Sequence, residues 1–374
     1  MLHKEPYRRI FRVLVATPSG QGGQGGIDRL MDSLRSALQH HPRSDLEVTF
    51  AASRGAGHII FSPFYLGQFC LRMLALRLAG RVDLVHINLS SYGSTYRKLI
   101  VTAVARLLGV PYVLHLHGAD YRLFWSGKRP WLDSLVRSMF EHAGRVIVLG
   151  RVWRDFVAKM GPESRIVILP NATPRPQLAH RGGGATTHIL FLGRIGDRKG
   201  VPQLIEALAR MQPLPGWRAT IAGDGEVAAA QQQARDLDVA GRIELPGWVD
   251  APRVAELIAV ADILVLPSFD ENLPVSVIEG MAAGLAVVAT PVGAVEDIVS
   301  EGETGLLVPP GDVDALAVAL TRLVNDPALR ARLGKAGLAV HRARLDIEPY
   351  VGEITDIWMD AAHRAEAPAS VNAK

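Results

Sequence analysis

The chain has 374 residues, more than one hydrophobic core ordinarily organises, so we expect two domains. Its 48% hydrophobic and 21% charged residues are typical of a soluble globular protein, and its one cysteine, Cys70, excludes a disulfide framework and suits a reducing compartment. The net charge is +4, but residues 1–175 carry 24 Lys and Arg against 11 Asp and Glu, whereas the remainder carries 17 against 26.

Strand and helix patterns alternate along the whole chain. An apolar strand opens each half, at Phe11 and at His188, and each is followed by a glycine-containing loop and a predicted helix, at 27–39 and at 202–211. The other predicted strands are 46–51, 84–88, 112–117, 146–149 and 166–169 in the first half and 218–222, 242–245, 263–266, 286–289 and 305–308 in the second. This alternation predicts an α/β fold with parallel, doubly wound sheets.

The same patterns predict the domain boundaries. Residues 1–170 form an N-terminal Rossmann-like domain and residues 188–347 a C-terminal one, joined by a Pro- and Gly-rich linker at 171–187. A final helix at 348–364 could return to the N-terminal domain, and the tail at 365–374 is expected to be disordered. The weakly charged stretch 58–71 is shorter than the roughly 20 residues of a membrane-spanning helix, so it predicts a buried helix.

Two glutamates, Glu271 and Glu279, flank a predicted helix start in the second half. Pro274 fits the first helical turn, which places Glu271 at the mouth of the helix and Glu279 about one and a half turns inside it. A helix N-terminus binds phosphate, and carboxylates accept hydrogen bonds from sugar hydroxyls. The pair therefore suits a nucleotide sugar.

Basic and imidazole side chains follow two of the predicted strands. Arg194 and Lys199 could hold a diphosphate beside a helix start, whereas Arg198 is expected to face solvent. His115 and His117 share one face of a strand. A metal pair is one interpretation, but no third ligand lies at an obvious spacing, so we expect His117 to face a ligand and His115 to be packed.

Three other segments have both a structural and a functional interpretation. The loop Gly20–Gly26 lets backbone approach a ligand, but it lacks the dinucleotide-binding spacing, and an ordinary flexible turn is the alternative. The Asp-x-Asp sequences at 236–238 and 312–314 could hold Mg²⁺, but their positions within or before helices favour structural roles, with Asp312 as a helix cap. The aromatic and basic segment 121–131 suits either a membrane interface or a lid with buried rings.

Six segments together resemble the retaining glycosyltransferases of family 4, also called glycosyl transferases group 1. In chain order they are GGQGGIDRL, HLHGAD, GRIGDRKG, AGDGE, PSFDENLPVSVIEGMAAGLAVVAT and EDIVSEGETGLLVPPGD. The resemblance covers nearly the whole chain and is strongest from Ile189 to Val308. It implies the GT-B fold, in which two Rossmann-like domains with doubly wound parallel sheets face a cleft, and it implies catalysis without a bound metal or cofactor.

The resemblance also implies a role for each matching residue. Arg194 and Lys199 correspond to the diphosphate clamp, and Glu271 to the glutamate that meets the transferred sugar. His117 corresponds to the first-domain histidine near that sugar, and Glu279 to the residue that binds the ribose. The other donor-binding positions it implies are Gly22, Gly23, Gly193, Asn272, Leu273 and Pro274.

The implied activity is transfer of a hexose, with retention, from a nucleoside diphosphate sugar to a saccharide acceptor. The basic first half of the chain favours a lipid-diphosphate-linked saccharide as the acceptor, as in bacterial surface polysaccharide or glycolipid assembly. The alternatives are a GT-B nucleotide-sugar epimerase and a non-catalytic nucleotide-sugar-binding subunit. No nucleic-acid motif is present, and no signal peptide is predicted. We therefore expect a cytoplasmic protein whose basic first half could bind the anionic inner face of the membrane, although attraction between oppositely charged domains is an alternative explanation of the charge.

Overall fold

The structure, a computed structural model, describes residues 10–23, 25–55, 57–125 and 130–366. The chain forms two compact units. Unit 1 comprises the residues up to Leu169 and those from Glu348 onward, and unit 2 comprises Pro170–Ile347. Each unit contains one six-stranded sheet in which every pairing is parallel, so the predicted α/β class with two doubly wound sheets is confirmed.

The sheet of unit 1 has the strand order β2-β1-β3-β4-β5-β6. Its strands are β1 Phe11–Thr17, β2 Leu46–Ala52, β3 Leu84–Leu89, β4 Tyr112–Leu116, β5 Arg145–Val148 and β6 Ile166–Ile168. Its first six helices are α1 Gly26–His40, α2 Ser62–Leu78, α3 Gly93–Leu107, α4 Tyr121–Trp125, α5 Pro130–Glu141 and α6 Arg151–Val157. Strands β3 and β4 are buried along their whole length, as expected for central parallel strands covered on both faces.

The sheet of unit 2 has the strand order β12-β11-β10-β7-β8-β9. Its strands are β7 Thr187–Leu192, β8 Trp217–Ala222, β9 Ile243–Gly247, β10 Ile263–Leu266, β11 Ala286–Ala289 and β12 Leu306–Leu307. Its helices are α7 Val201–Arg210, α8 Val227–Asp236, α9 Ala251–Val260, α10 Val275–Ala282, α11 Val313–Asn325 and α12 Pro327–Val340, and the last helix of the chain is α13 Ile347–Glu366. Every predicted strand overlaps an observed one, with ends that differ by at most two residues.

Aspartates begin several helices of unit 2. The Asp312 carboxylate accepts a hydrogen bond from the Ala315 N–H at 2.9 Å, and Asp250 and Asp326 cap α9 and α12 in the same way. Such a cap satisfies one of the N–H groups that the first helical turn leaves unbonded. The prediction that Asp312 is a helix cap is therefore confirmed.

The Pro- and Gly-rich segment between the predicted domains is fixed at its start. Asn171, Ala172 and Thr173 are buried, and Thr173 forms a parallel bridge with Asp346. The boundary between the units falls after Leu169, so residues 171–187 belong to unit 2 instead of forming a separate linker. Composition indicated a break, but it could not show that the polar groups of these residues find buried partners.

Helix α13 belongs to unit 1 from Glu348 onward. Trp358 is fully buried, and its indole N–H donates to Nδ1 of His86 at 2.9 Å. Arg145 and Asp360 form an ion pair between β5 and the same helix. The helix extends to Glu366, so residues 365 and 366 are helical instead of part of the predicted disordered tail. The rest of that tail, 367–374, lies outside the described residues.

The prediction of a buried helix at 58–71 is wrong. A helical segment runs from Ile59 to Leu78 and, among the described residues, is long and apolar enough by length and composition to cross a membrane. Only 22% of its most apolar window is buried, although Phe69 and Met73 pack inside unit 1. The sequence contains apolar residues all around the helix, whereas the sheet covers only one side of it.

Candidate functional site

The strand order of unit 2 reverses between β7 and β10, which lie side by side. In open parallel sheets, ligands bind at the carboxyl ends of the strands at such a point. The loop after β7 carries Arg194 and Lys199, and the loop after β10 carries Glu271. The topology of unit 2 therefore brings the predicted cations and the first glutamate to one sheet edge.

Lys199 and Glu271 form an ion pair with each other at this edge. The Ser268 hydroxyl donates to the same Glu271 oxygen, Oε1, at 2.7 Å, and the Thr290 hydroxyl donates to the Ser268 carbonyl at 2.6 Å. The Glu271 side chain is 8% exposed and the Lys199 side chain 14%, so water screens the pair only weakly. From the sequence, Lys199 and Glu271 were expected to have separate roles, and neither hydroxyl was identified. The signal for both is that Ser268 and Thr290 lie within two residues of the ends of buried strands.

Two glycines let the loops around Glu271 approach each other. Gly200 has φ +68°, and a Cβ there would collide with the Pro267 carbonyl oxygen. Gly293 has φ +61°, and a Cβ there would collide with the Glu271 carbonyl oxygen. Because only glycine adopts these dihedrals without strain and also leaves this space, both positions serve to hold the loops in contact.

The donor-binding loop predicted at 272–274 is buried and bonded through its backbone. Asn171 donates from its amide nitrogen to the Leu273 carbonyl at 2.8 Å, and the Ala294 N–H donates to the Asn272 carbonyl at 2.7 Å. Pro274 is the residue before α10, with ψ 125°, and does not lie in the first helical turn as predicted. The role of Asn171 was not predictable, because Asn171 lies in the Pro- and Gly-rich segment that the sequence predicts to be a linker.

Glu279 is half-buried and lies in the second turn of α10. The next residue, Gly280, faces β10, where an added Cβ would lie 2.8 Å from Cδ2 of Leu264. The missing side chain therefore lets α10 approach the sheet closely at the position of Glu279. Glu279 and Glu271 lie on the same loop–helix unit, as the sequence predicted.

The two predicted clamp cations differ in their surroundings. Arg194 is exposed, and no described residue accepts a hydrogen bond from its guanidinium. Lys199 is already paired with Glu271. Arg198 is exposed as expected, but it also donates to the Asp270 carbonyl at 2.9 Å. Gly193, at the end of β7, donates its N–H to the Ala222 carbonyl at 3.1 Å, which fixes the backbone just before Arg194.

His117 lies at the carboxyl end of β4 in unit 1. The Asn88 amide nitrogen donates to the Ala16 carbonyl at 3.2 Å, so the Asn88 Oδ1 atom must accept from Nε2 of His117 at 2.9 Å. This arrangement leaves Nδ1 of His117 as an acceptor. Burial, followed by the neighbouring His86, lowers the pKa of His117 to about 3, so the ring is neutral at physiological pH.

His115 lies on the same face as His117, as predicted, with ring centroids 3.9 Å apart. His115 is fully buried, whereas His117 is half-buried. His86, which the sequence analysis missed, lies beside His115, and burial lowers its pKa to about 4. Among the described residues, no group of three or more His, Cys, Asp and Glu side chains is arranged to hold a metal ion.

The glycine loop of unit 1 is bonded to side chains of α1. The Ser19 N–H donates to Asp28 at 3.2 Å, and the Gly22 N–H donates to Asp32 at 2.9 Å. A Cβ at Gly23 would collide with the Asp28 carboxylate. These bonds tie residues 19 and 22 of the loop to α1, and the two carboxylates favour hydroxyl groups over phosphate as neighbours.

A cavity of about 420 Å³ lies at the opposite edge of the unit 2 sheet. Its lining includes His188, Arg218 and Glu244, each the second residue of its strand. These residues mark the amino ends of the strands, where the doubly wound architecture does not place its ligands. The cavity is therefore separate from the site around Glu271.

Two family descriptions match the chain, one for each half. Residues 179–340 match "Glycosyl transferases group 1", and residues 7–172 match "Glycosyl transferase 4-like domain". Together the two matches cover nearly all of both units.

The relatives include several sugar-transferring enzymes. The chain is 36% identical over 276 residues to a phosphatidyl-myo-inositol mannosyltransferase of Mycolicibacterium smegmatis, covering 70% of this chain and 68% of that protein. It is 37% identical over 150 residues to the lipopolysaccharide core biosynthesis glycosyltransferase LpsE of Rhizobium meliloti. That match spans 40% of this chain and 43% of LpsE, so the chain aligns with less than half of that relative.

Solved structures share the fold at low sequence identity. A sucrose-phosphate synthase from Thermosynechococcus elongatus superposes with a TM-score of 0.77 at 19% identity, over 95% of this chain and 100% of that one. Anabaena HepE, solved in complex with UDP and glucose, superposes with a TM-score of 0.72 at 19% identity, over 92% and 98% of the two chains. With two parallel doubly wound sheets, the charged site at the β7–β10 edge and these matches, the chain belongs to the group 1 glycosyltransferases with the GT-B fold.

Proposed function

We propose that the protein is a retaining, metal-independent hexosyltransferase that uses a nucleoside diphosphate sugar. The observation that carries this proposal is the ion pair of Lys199 with Glu271, whose carboxylate also accepts a hydrogen bond from Ser268. Glu271 lies in the loop before α10, and Arg194 lies in the same loop as Lys199. Cations and a helix N-terminus match a diphosphate, and carboxylates match sugar hydroxyls. The structural relative HepE was solved with UDP and with UDP-glucose, which supports this class of donor.

In the proposed reaction, the bond between the anomeric carbon and the β-phosphate oxygen breaks, and its electron pair stays on the diphosphate. Arg194, Lys199 and the N–H groups at the start of α10 stabilise the charge that develops there. The acceptor oxygen bonds to the anomeric carbon on the face that the diphosphate leaves, and its proton passes to the departing phosphate. Both bonds that described residues make to the Glu271 carboxylate go to Oε1, which leaves Oε2 for a hydroxyl of the transferred sugar.

Within unit 1, the proposal gives His117 a place near the transferred sugar. Its neutral ring presents Nδ1 as an acceptor, because Nε2 is committed to Asn88. A neutral imidazole can accept a hydrogen bond from a sugar hydroxyl, whereas a cationic one cannot. Gly22 and Gly23, with Asp28 and Asp32 beneath them, suit the hydroxyl groups of a saccharide.

For the acceptor, we propose a saccharide or a lipid-diphosphate-linked saccharide used in bacterial surface polysaccharide or glycolipid assembly. Two relatives support this class by their names, one in lipopolysaccharide core biosynthesis and one that mannosylates phosphatidyl-myo-inositol. The excess of basic residues in the first half of the chain is complementary to an anionic acceptor of this kind.

A panel of nucleoside diphosphate sugars tests the donor assignment. One uridine or guanosine diphosphate hexose should raise the melting temperature, because a ligand at 100 times its dissociation constant adds about 2.7 kcal/mol of stability. With that donor and a lipid-linked saccharide, the product should keep the anomeric configuration of the donor, as measured by nuclear magnetic resonance. Inversion would contradict retention. Epimerisation of the donor without an acceptor would instead identify an isomerase, and tight binding without turnover on any acceptor would identify a binding subunit.

We also propose that the protein is cytoplasmic and binds the inner face of the membrane through the α2–α3 face. We define this face as the exposed apolar side chains of the helical segment before and within α2 and of α3, namely Ile59, Ile60, Phe61, Phe64, Leu71, Leu74, Leu78, Tyr96, Ile100 and Leu107. Helices α2 and α3 contact each other. Between Glu47 and Asp120 the sequence holds seven Lys and Arg but only one acidic residue, Asp83, so the charge is complementary to anionic lipid.

Replacing Phe64 and Leu71 together with serine should weaken binding to anionic vesicles at least about 10-fold, since each loses apolar surface that lipid would cover. Cosedimentation with vesicles containing 30% phosphatidylglycerol, at low salt and again at about 0.5 M salt, measures this. Val318→Ser is the matched control, because Val318 in unit 2 is 68% exposed, as is Leu71. Equal binding by the double variant and the control, or no binding at low salt, would remove the α2–α3 face from the proposal.

A further inference from the structure

Three basic side chains of unit 1 meet at the carboxyl edge of its sheet. Lys98, only 2% exposed, donates from Nζ to the Ser53 hydroxyl, which in turn donates to the Thr17 carbonyl at 2.9 Å. Arg54 follows Ser53 directly after β2, and Arg97 precedes Lys98 in the second turn of α3. We call Arg54, Arg97 and Lys98 the cation cluster. It lies beside β1 and β3, where the strand order of this sheet reverses.

Within the described ranges, no carboxylate lies within ion-pair distance of Arg54, Arg97 or Lys98. Burial and then the charge of Arg97 lower the pKa of Lys98 to about 7, and burial and then Arg54 lower the pKa of Arg97. The acidic group that acts on the cluster from α1 is Asp28, which is bonded to the Ser19 N–H and whose own pKa is raised by burial. The three basic groups therefore destabilise one another in the absence of a bound anion.

Two donor groups of α3 and of the loop before it are buried without a described hydrogen-bond partner. Nε of Arg97 and the hydroxyl oxygen of Ser91 are buried and bond to no described residue. Burial of such a group without a hydrogen bond is unfavourable. Between them, Tyr92 has φ 54° and ψ −125°, a conformation that is strained for any residue other than glycine. Repulsion, unbonded donors and backbone strain thus coincide in one loop and the helix that follows it.

We infer that Arg54, Arg97 and Lys98 bind a phosphate or diphosphate group of the acceptor substrate. An oxyanion would accept hydrogen bonds from both arginines and from Ser91, and it would offset the repulsion among the three basic groups. The identity of the ligand as the acceptor rests on the proposed function, whereas the binding of an anion follows from the residues of unit 1 alone. Asp28 and Asp32 lie on α1, where they bond to the backbone of the glycine loop and favour hydroxyl groups of the same ligand.

The position of α3 favours a lipid-linked diphosphate over a soluble sugar phosphate. Lys98 lies on the inner side of α3, whereas Tyr96 and Ile100 are exposed on its outer side as part of the α2–α3 face. Cys70, in the middle of α2, is close enough to Lys98 to affect its pKa, so the cluster lies beside both helices. An anionic headgroup in the cluster could therefore have its hydrocarbon chain along the apolar face.

Binding of farnesyl diphosphate, farnesol and glucose 1-phosphate, measured by isothermal titration calorimetry on the full chain, tests the inference. The background variant is Lys199→Ala, which removes a donor-site cation that could also capture the probe. In this background, Arg97→Gln and Arg54→Gln should each weaken farnesyl diphosphate binding about 10-fold or more, since each removes a charge-assisted hydrogen bond. Arg72→Gln, an exposed arginine of α2, is the control with the same change in net charge and should bind as the background does.

Several results would overturn the inference: no binding of farnesyl diphosphate, equal affinity for farnesol, or equal effects of Arg72→Gln and Arg97→Gln. Binding of glucose 1-phosphate that is equally strong and equally dependent on Arg97 would support the phosphate site but assign it to a soluble acceptor. Failure of every nucleotide sugar to bind would refute the proposed transferase activity and leave this result unaffected. Melting temperatures show whether each variant is folded. If Arg97→Gln does not fold, Arg54→Gln at the half-buried Arg54 provides the second variant.

Discussion

Lys199→Met should lower the turnover number on the order of 100-fold with the true donor, because it removes one of two cations that stabilise the departing diphosphate. A loss of this size corresponds to about 2.7 kcal/mol of transition-state stabilisation. If Lys199 acts on the leaving group, the loss should appear in kcat more than in KM, since the charge develops only as the bond breaks. Steady-state kinetics measures both constants.

The ion pair with Glu271 complicates this experiment, because Lys199→Met also leaves a buried carboxylate with one donor, Ser268. Breaking a buried pair costs more stability than removing both partners. The double variant Lys199→Met, Glu271→Gln should therefore melt at a higher temperature than Lys199→Met, yet remain at least as inactive. Recovery of activity together with stability would show that Lys199 acts only by holding the loop.

Lys335→Met is the matched control for this prediction. Lys335 lies on α12 of the same unit and is exposed, so the variant loses the same charge without touching the site. It should keep kcat and KM within about twofold of the unchanged protein, since exposed single substitutions rarely matter. A similar loss in both lysine variants would indicate a general effect of net charge and would remove Lys199 from the diphosphate clamp.

The sequence predicted the sheets well because parallel strands are buried on both faces and appear as short apolar runs. The runs at 84–88 and 263–266 correspond to β3 and β10 almost residue for residue. Turn chemistry was also predictable at Asp312, because a cap depends on residues only three positions apart. Local signals of this kind need no knowledge of the rest of the fold.

Signals that depend on distant contacts were not predictable. The sequence could not show that Lys199 would pair with Glu271, 72 positions away, or that Asn171 would bond to the loop before α10. The apolar residues between Ile59 and Leu78 predicted burial, but whether a helix is covered depends on what packs over it. The cation cluster was likewise not predictable, since neither the proximity of its three basic residues nor the lack of a described carboxylate beside them follows from spacing.

The C-terminal helix provides the prediction with the largest expected effect on stability. Trp358→Ala should destabilise unit 1 by about 3–5 kcal/mol, because it removes the largest kind of side chain from a site that is fully buried. The ring of Trp358 also contacts His86 edge to face at 5.7 Å, and its N–H bonds to Nδ1 of that histidine. Trp358→Phe keeps part of the packing but leaves that nitrogen unbonded, so it should cost about 1–3 kcal/mol.

Hydrogen exchange of the amides of β3 measures this loss within unit 1, where a whole-protein melt would average over both units. Trp131→Ala is the matched control, since Trp131 belongs to the same unit but is 55% exposed on α5, and it should change protection by less than about 0.5 kcal/mol. Unchanged protection of β3 in Trp358→Ala would mean that α13 is only a surface addition. Reduced protection would show that unit 1 depends on α13, whose Trp358 lies 272 positions beyond His86 in the chain. The reason is that Nδ1 of His86, in the central strand β3, accepts its hydrogen bond from Trp358.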